Sequence, residues 1–349
     1  MTTYTTPING FDTYTSDGGL GLEVRIDRDR PPLGSFVFGP AYDGTCFIIF
    51  GNRLYYCKPK QPEAWPALYY VEVGAPQQPG TTGIFHGGQP HYFTVSNIYY
   101  IQGTGNGLFQ PIPLKTKTGA QSSRGAVSVD GKGIYHTGPD GLYLYSSGSD
   151  HKITEDTLEP IFRGTTKNDI PGVADMSTSW LHHYRNTLYF GYSSTAGGYP
   201  TNVLTLNLQN NKTAYFVYND GSDLEIRAIT TDDTNERILI GDGTGFVRVI
   251  ESTSNADDSG TAISWEVQSK DYTLPTRKHF PRWVKYDVDA SNATSVTGEL
   301  LLDGSVHHTH TITGNRVTRR RLVGEGNGNR AAERISGSGP ATIYSAEFE

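Results

Sequence analysis

An all-β chain of repeated antiparallel hairpins is predicted by three observations. A two-residue unit, Leu or Ile followed by Tyr or a similar residue, returns at Leu54-Tyr55, Ile98-Tyr99, Leu142-Tyr143, Leu188-Tyr189 and, more weakly, Ile238-Leu239. Its steps along the chain are 44, 44, 46 and 50 residues. Each echo sits in a pair of β-branched or aromatic runs joined by a turn of Gly, Asn, Asp or Pro. That is the hairpin signal, because Asn and Gly supply the positive φ that tight turns need. Finally, 19 Pro and 41 Gly interrupt the 349-residue chain before any helical stripe extends over three turns. A period of roughly 40–50 residues made of strands is the pattern of a β-propeller, in which each repeat is one four-stranded blade. Five to six blades are expected.

Taken in order, residues 1–38 read as an extended arm or edge strand. They end in the alternating run Arg25-Ile26-Asp27-Arg28-Asp29-Arg30 before Pro31-Pro32. Residues 39–252 hold the propeller repeats. Cys46–Phe50 turns at Gly51-Asn52 into Arg53–Cys57, and His91–Val95 turns at Ser96-Asn97 into Ile98–Ile101. Gly133–His136 meets Leu142–Tyr145 across Gly138-Pro139-Asp140-Gly141. Trp180–Tyr184 meets Leu188–Phe190 across Arg185-Asn186, and Glu225–Ile229 meets Arg237–Ile240 across a polar turn. One helical turn is expected within Ile153–Phe162, capped by Thr154. Residues 253–260 form a polar linker. Beyond it, residues 261–349 lose the period. Thr261–Val267, Trp283–Val288, Val296–Leu302, His308–Ile312, Val317–Leu322 and Thr342–Phe348 are short strand candidates, several cleanly alternating. This carboxy-terminal strand-rich region suits a β-sandwich or a set of ring-closing strands.

Composition narrows the function. Tyr is abundant (22 residues) and fits half-buried pleated surfaces and contact faces. A net charge of −7 argues against a dedicated nucleic-acid binder and against attachment to an anionic membrane. Apolar runs reach five or six residues, too short to span a bilayer, and MTTYTTPING carries no secretory signal. Cys46 and Cys57 fall opposite one another if Gly51-Asn52 is a two-residue turn. Packed reduced thiols are the favoured reading, because cross-strand disulfide geometry is demanding.

No catalytic constellation stands out. His307, His308 and His310 cluster, as do His182 and His183, but on a strand His308 and His310 share a face while His307 points away. No metal or other cofactor is therefore expected. Asp43, Asp130, Asp140, Asp220, Asp232, Asp233 and Asp242 fall in turn contexts, where Asp bonds its own backbone. Glu23, Glu72, Glu225 and Glu266 lie in strand-like runs without a partner in a recognisable motif. Asn219–Asp223 resembles part of a calcium loop but lacks its bidentate Glu, and Gly241–Gly245 lacks the Lys and the helix of a phosphate cradle. Arg316, Arg319, Arg320 and Arg321 form the basic cluster of the chain, Arg319 and Arg321 on one strand face and Arg320 on the other. They are candidates for a contact with a neighbouring subunit or with DNA.

The order of several segments resembles the β-propeller tail proteins of tailed bacteriophages, in particular the nozzle (tail-tube or stabilisation) proteins of short-tailed phages. The similar stretches are GNRLYYCKPKQPEAWP (51–66), HYFTVSNIYYIQGTG (91–105) and AQSSRGAVSVDGKGIYHTGPDGLYLYSSGSDHKIT (120–154). AISWEVQSKDY (262–272), LLDG (301–304), RVTRRRL (316–322) and RISGSGPATIYSAEFE (334–349) resemble the closing strands of that family. The resemblance implies a virion structural protein, made in the host cytoplasm, that forms a homo-oligomeric ring, usually a hexamer, below the portal and adaptor. Such a nozzle passes double-stranded DNA through its lumen without specific binding during ejection. Its outside receives fibres, tailspikes or a needle. It is not an enzyme, and it carries no membrane anchor. A carbohydrate-binding propeller, stacking sugars on Trp65, Trp180, Trp265 or Trp283, is the alternative, and a glycoside hydrolase a more distant one.

Overall fold

The computed structural model describes residues 3–4, 11–15, 23–27, 33–34, 36–103, 109–154, 158–167, 170–210, 213–217, 224–250, 257–258, 261–273, 281–293, 295–322 and 328–348. The chain separates into two compact units, Met1–Tyr218 with Asp223–Ile250, and Asn219–Ser222 with Glu251–Glu349. No helix among the described residues is long and apolar enough to cross a membrane.

The first unit begins with a small antiparallel sheet of β1 (Thr3–Tyr4), β2 (Phe11–Thr15) and β3 (Glu23–Asp27). Within residues 1–38, expected as an extended arm or edge strand, the described strands β1 to β3 pair with one another. Five meanders follow. The first comprises β4 (Phe36–Phe38), β5 (Phe47–Phe50), β6 (Arg53–Tyr56) and β7 (Tyr70–Glu72). β8 (Gly80–His86), β9 (Gln89–Thr94), β10 (Ile98–Gln102) and β11 (Gln110–Pro113) make the second. In the third are β12 (Ala126–Val129), β13 (Gly133–Gly138), β14 (Gly141–Ser146) and β15 (Ser149–Lys152). After the single turn α1 (Glu159–Phe162), the fourth contains β16 (Asp175–Tyr184), β17 (Thr187–Ser193), β18 (Asn202–Asn207) and β19 (Thr213–Val217). The fifth has three described strands, β20 (Ile226–Asp232), β21 (Arg237–Asp242) and β22 (Val247–Ile250). Every sheet pairs its strands antiparallel in chain order. First strands of successive sheets adjoin, β4 with β8, β8 with β12, β12 with β16 and β16 with β20. Meanders laid side by side through their first strands are the blades of a β-propeller.

The Leu/Ile-Tyr echo marks five blades, but it changes strand on the way. Leu54, Ile98 and Leu142 lie on third strands (β6, β10, β14), whereas Leu188 and Ile238 lie on second strands (β17, β21). The segment carrying α1 lengthens the connection before β16 and shifts the phase. Thr154 does not cap that helical turn. Its Oγ1 accepts the Leu142 N–H at 3.1 Å, and the helix N-cap is Leu158, with no side-chain cap.

Packing between blades is apolar, with polar clasps. Phe47, Leu54, Tyr92 and Ile101 form one core, and Leu188, Phe190, Tyr192 and Leu204 belong to another. Side chains on first strands reach the next blade. His86 Nδ1 lies 2.8 Å from Ser128 Oγ, and His182 Nε2 lies 2.8 Å from Thr231 Oγ1. Thr82 Oγ1 donates to the Ser123 carbonyl at 2.8 Å, and Ser122 Oγ to that of Ser179 at 2.7 Å. Deeper still, His136 on β13 pairs with Asp150 on β15 at 3.0 Å, both side chains buried. The other His136 nitrogen lies 3.2 Å from the Gly119 carbonyl, and the Lys117 N–H donates to Asp150 at 2.9 Å. Burial pushes the Asp150 carboxyl up, but its bonds to His136 and to the Lys117 and Thr118 N–H groups outweigh that and hold it below the ordinary range.

Cys46 and Cys57 fall opposite each other across the β5–β6 hairpin, as their spacing predicts, and both are free thiols. The Cys57 N–H donates to the Cys46 carbonyl at 3.1 Å, and the Cys46 N–H donates to Cys57 Sγ at 3.0 Å. Burial pushes the Cys57 thiol up to about 11.

The second unit opens with a minimal pair, β23 (Asp257–Asp258) and β24 (Thr261–Ala262), in the region expected as linker. The remaining strands are β25 (Ser264–Gln268), β26 (Tyr272–Thr273), β27 (Trp283–Ala290), β28 (Ser295–Leu302), β29 (Ser305–Ile312), β30 (Gly314–Arg321), β31 (Arg330–Ser338) and β32 (Thr342–Phe348). One sheet runs β25-β31-β28-β29, with β26 also on β31, and the other runs β30-β27-β32. Val284, Tyr286 and Val288 of the second sheet share a core with Val296, Leu300 and Ile335 of the first. Of the two arrangements left open by the sequence, this is the β-sandwich.

Two outcomes are expected from these contacts. Asp150→Ala should lower stability to urea by about 3–5 kcal/mol, because it strands a buried histidine. Removing the exposed Arg53–Glu72 pair (3.0 Å) should lower it by less than about 1 kcal/mol. Equal losses in the two unfolding curves would contradict the assignment. Cys57 should resist iodoacetamide at pH 8, since its thiolate is scarce, and label only after denaturation. Peptide mass mapping reads this directly.

Candidate functional site

The structure distributes the residues singled out by sequence. Arg316, Arg319, Arg320 and Arg321 lie on β30, in register with Val288, Lys285, Val284 and Trp283 of β27. Arg319 and Arg321 therefore share one face of the strand, and Arg316 and Arg320 the other. The side chains of Arg316, Arg319 and Arg320 lie outside the described residues, and Arg321 is exposed.

The histidine strand differs from expectation. His308 and His310 do share a face, opposite Leu300 and Gly298, with rings stacked 6.2 Å apart. However, Leu301 pairs with Val306, so His307 is an inserted bulge residue. A bulge re-aims its side chain, and the His307 ring comes within 4.8 Å of His308 instead of pointing away. No group of three or more His, Cys, Asp or Glu arranged to hold a metal ion occurs among the described residues. His182 is the clasp to Thr231, and burial, helped by His183, lowers it to about 4.

The turn aspartates bond their surroundings. Asp242 accepts the Thr244 and Phe246 N–H groups at 2.9 and 2.8 Å and receives Arg248 Nε at 2.9 Å. The Arg248 bond foremost holds its carboxyl well below the carboxylate range. Asp140 receives the Tyr143 hydroxyl at 2.7 Å and Lys152 at 2.9 Å, and Asp43 accepts the Thr45 N–H at 3.0 Å. The calcium-loop fragment Asn219–Asp223 spans residues outside those described. Trp65 and Trp180, offered as sugar platforms, are buried.

One site was not foreseen. Along one side of the sandwich, β25 and β26 of one sheet face β32 of the other across a groove with two compartments. The first, about 380 Å³, is lined by Val267, Tyr272, Glu333, Ile335, Ala346 and Glu347 among others. The second, about 390 Å³, is lined by Ile263, Trp265, Val267, Pro340 and Ile343 among others. Both volumes fall in the range of ligand pockets. Trp265 is fixed by its Nε1 donating to the Gly339 carbonyl at 2.7 Å. Gly337 lets the indole lie on the sheet, since a Cβ there would come within 2.5 Å of the ring. β25 and β32 are sheet edges, each paired on one side among the described residues. Ile263 (48% exposed), Val267 (55%) and Tyr344 (63%) stand on or beside them.

Glu333 is the unusual member. It sits on central strand β31 opposite Leu300, on the core-facing side, and is 5% exposed. Its Oε1 is buried and has no hydrogen-bond partner, and the Tyr286 hydroxyl is in the same condition. Burial, reinforced by the Glu347 carboxylate, pushes Glu333 up to about 7. Glu347 itself reaches Lys285 at 3.4 Å. Little in the sequence points to Glu333. RAAERISGS (330–338) carries three charged residues, two Ser and a Gly, and nothing in it marks a central strand.

No protein family and no curated protein matches the chain. Among solved structures, it is similar to virginiamycin B lyase from Staphylococcus aureus with quinupristin, at 8% identity and a TM-score of 0.40, covering 93% of this chain and 88% of that one. It is also similar to Kluyveromyces marxianus Hsv2 at 7% identity and a TM-score of 0.37, covering 70% of each chain. Hsv2 from Kluyveromyces lactis gives 7% identity and a TM-score of 0.39, covering 71% of this chain and 69% of that one. The blades of this protein are defined by its own strand order, which these likenesses accompany.

The Glu333 geometry has a pH signature. An acid raised on folding from 4.5 to about 7 binds its proton more tightly in the folded state. Its favourable contribution is complete below about 4.5 and is lost as pH rises through 7, a change of roughly 3 kcal/mol. Glu333→Gln should therefore leave stability at pH 4.5 nearly unchanged and raise it at pH 8. Thermal unfolding of both proteins across this window measures the difference, and parallel pH curves would refute it.

Proposed function

We propose that this chain is a virion structural protein, the tail nozzle ring of a short-tailed phage, assembled from copies of itself below the portal and adaptor. The single observation that carries the reading is the contact character of the sandwich edges. Among the described residues, β25 and β32 are each paired on one side only and carry apolar side chains in solvent. Open apolar edges are ordinarily blunted by charge, Pro or a covering element, and where they persist they mark surfaces meant to be covered by protein. The ordered likeness of the strand-and-turn segments to phage nozzle proteins supplies the identity of the assembly, and the propeller supplies a rigid platform for it. Arg316, Arg319, Arg320 and Arg321 on β30 would lie against acidic groups of a neighbouring subunit or line the lumen. The net charge of −7 suits a conduit for DNA, because each added phosphate contact slows transit.

The test is compositional and then stoichiometric. Mass spectrometry of purified virions should find this chain as a stoichiometric component. Native mass measurement should find the isolated chain as a monomer and a ring, six copies in the simplest case, on the portal–adaptor complex. Virions without the chain would end the proposal.

A further inference from the structure

We propose that the groove between β25–β26 and β32 receives an extended strand from a partner protein, and that a lysine of that strand meets Glu333. The proposal shares with the nozzle reading only the view of these edges as contact surfaces, and it does not depend on the virion.

Three features specify the occupant. Open backbone edges flank the groove on β25 and on β32. An added strand pairs with such an edge and drops alternate side chains into the pockets beneath. The two compartments form a continuous trough, since Val267 and Ile343 line both. Its walls are mostly apolar, which suits the alternate valines or isoleucines of a docked strand. The charged side chains lining the first compartment are Glu333 and Glu347, both acidic, and Lys285 reaches only Glu347, at 3.4 Å. Glu333 Oε1 is buried without a donor. A carboxyl in that condition is satisfied by a hydrogen-bond donor, and a cationic donor also offsets the unfavourable burial of its charge. Lysine fits better than arginine. Its four-carbon stem can lie along Val267, Ile335 and Ala346 while a compact ammonium reaches the floor. Lys270 lies with its ammonium 5.4 Å over the ring of Tyr272, a lining residue, and makes no hydrogen bond to Glu333 Oε1.

The experiment uses the full chain at pH 8 and a fluorescein-labelled peptide, Val-Thr-Val-Thr-Lys-Thr-Val. Its lysine falls on the same face as its valines. Fluorescence anisotropy should show saturable binding. The peptide with norleucine for lysine should bind at least about tenfold more weakly, as expected for loss of a charge-assisted hydrogen bond. Glu333→Gln should bring the two peptides to within about threefold of one another. This isosteric change leaves the core volume unaltered. Val267→Arg, on an exposed edge position, should abolish binding without altering Glu333 and serves as a second variant. Absence of binding, equal affinity for the lysine and norleucine peptides, or an unchanged lysine preference in Glu333→Gln would overturn the proposal. So would hexylamine binding as tightly as the peptide, since the strand edges would then contribute nothing. Failure here leaves virion composition unaffected, and virions without this chain leave the peptide result unaffected.

Discussion

Everything in the first unit depends on covering both faces of each blade. A four-stranded sheet standing between two others cannot show one face to water. Middle strands can therefore be buried on both faces, as in β13, where every residue from Gly133 to Gly138 is buried, and in β17, where Leu188 to Ser193 are, while β6 and β21 still alternate. The sandwich obeys the opposite rule. One face of each sheet is wet, and β27 alternates strictly between half-buried and buried from Trp283 to Ala290.

Continuous burial leaves the propeller with polar groups that must find partners inside it. They do so mostly between neighbouring blades or within one. His86, His182, Thr82 and Ser122 each reach across to the next blade, and His136, Asp150 and the Lys117 N–H close a network within and before the third. His86, His136 and His182 are thus engaged in hydrogen bonds inside the fold. Glu333 is the carboxylate among the described buried groups without a hydrogen-bond partner, a condition it shares with uncharged groups such as the Tyr286 hydroxyl and the Trp180 Nε1. A residue whose local accounting fails is better evidence for an external partner than any number of well-bonded histidines.

Much of the architecture was legible in the sequence, and the places where it was not have physical causes. Hairpins announced by Gly51-Asn52, Pro139-Asp140 and Arg185-Asn186 are present, because turn chemistry is local and specific. The five echoes each fall in a separate described sheet despite a slip of strand after Leu142, since a repeat signal counts units without naming the strand it rides on. First strands such as β8 were harder to see. Gly80 and Gly83 dilute its β signal, and Gly83 is small so that the Phe38 ring of the preceding blade can lie against it. β31 was missed for the same reason on the sandwich side, where Gly337 makes room for Trp265. The bulge at His307 is a register event, set by pairing with β28, and no feature of the local sequence marks it. The groove was least legible of all, because it joins β25 to β32 across most of the second unit and gains its chemistry from one acid on a strand of unremarkable composition.

The clasps between blades have a consequence for how the propeller responds to damage. Each joins nearest neighbours only, so coupling along the row is short-ranged, as in other stacked repeats. A lesion at His182 softens the seam between the fourth and fifth blades and leaves the seam at His86 at full strength. Protection against hydrogen exchange should then vary blade by blade, tracking the local seam more than the distance to either chain end. Such a body gives way in sections, and it can lose a peripheral blade's order while still presenting the rest of its surface intact.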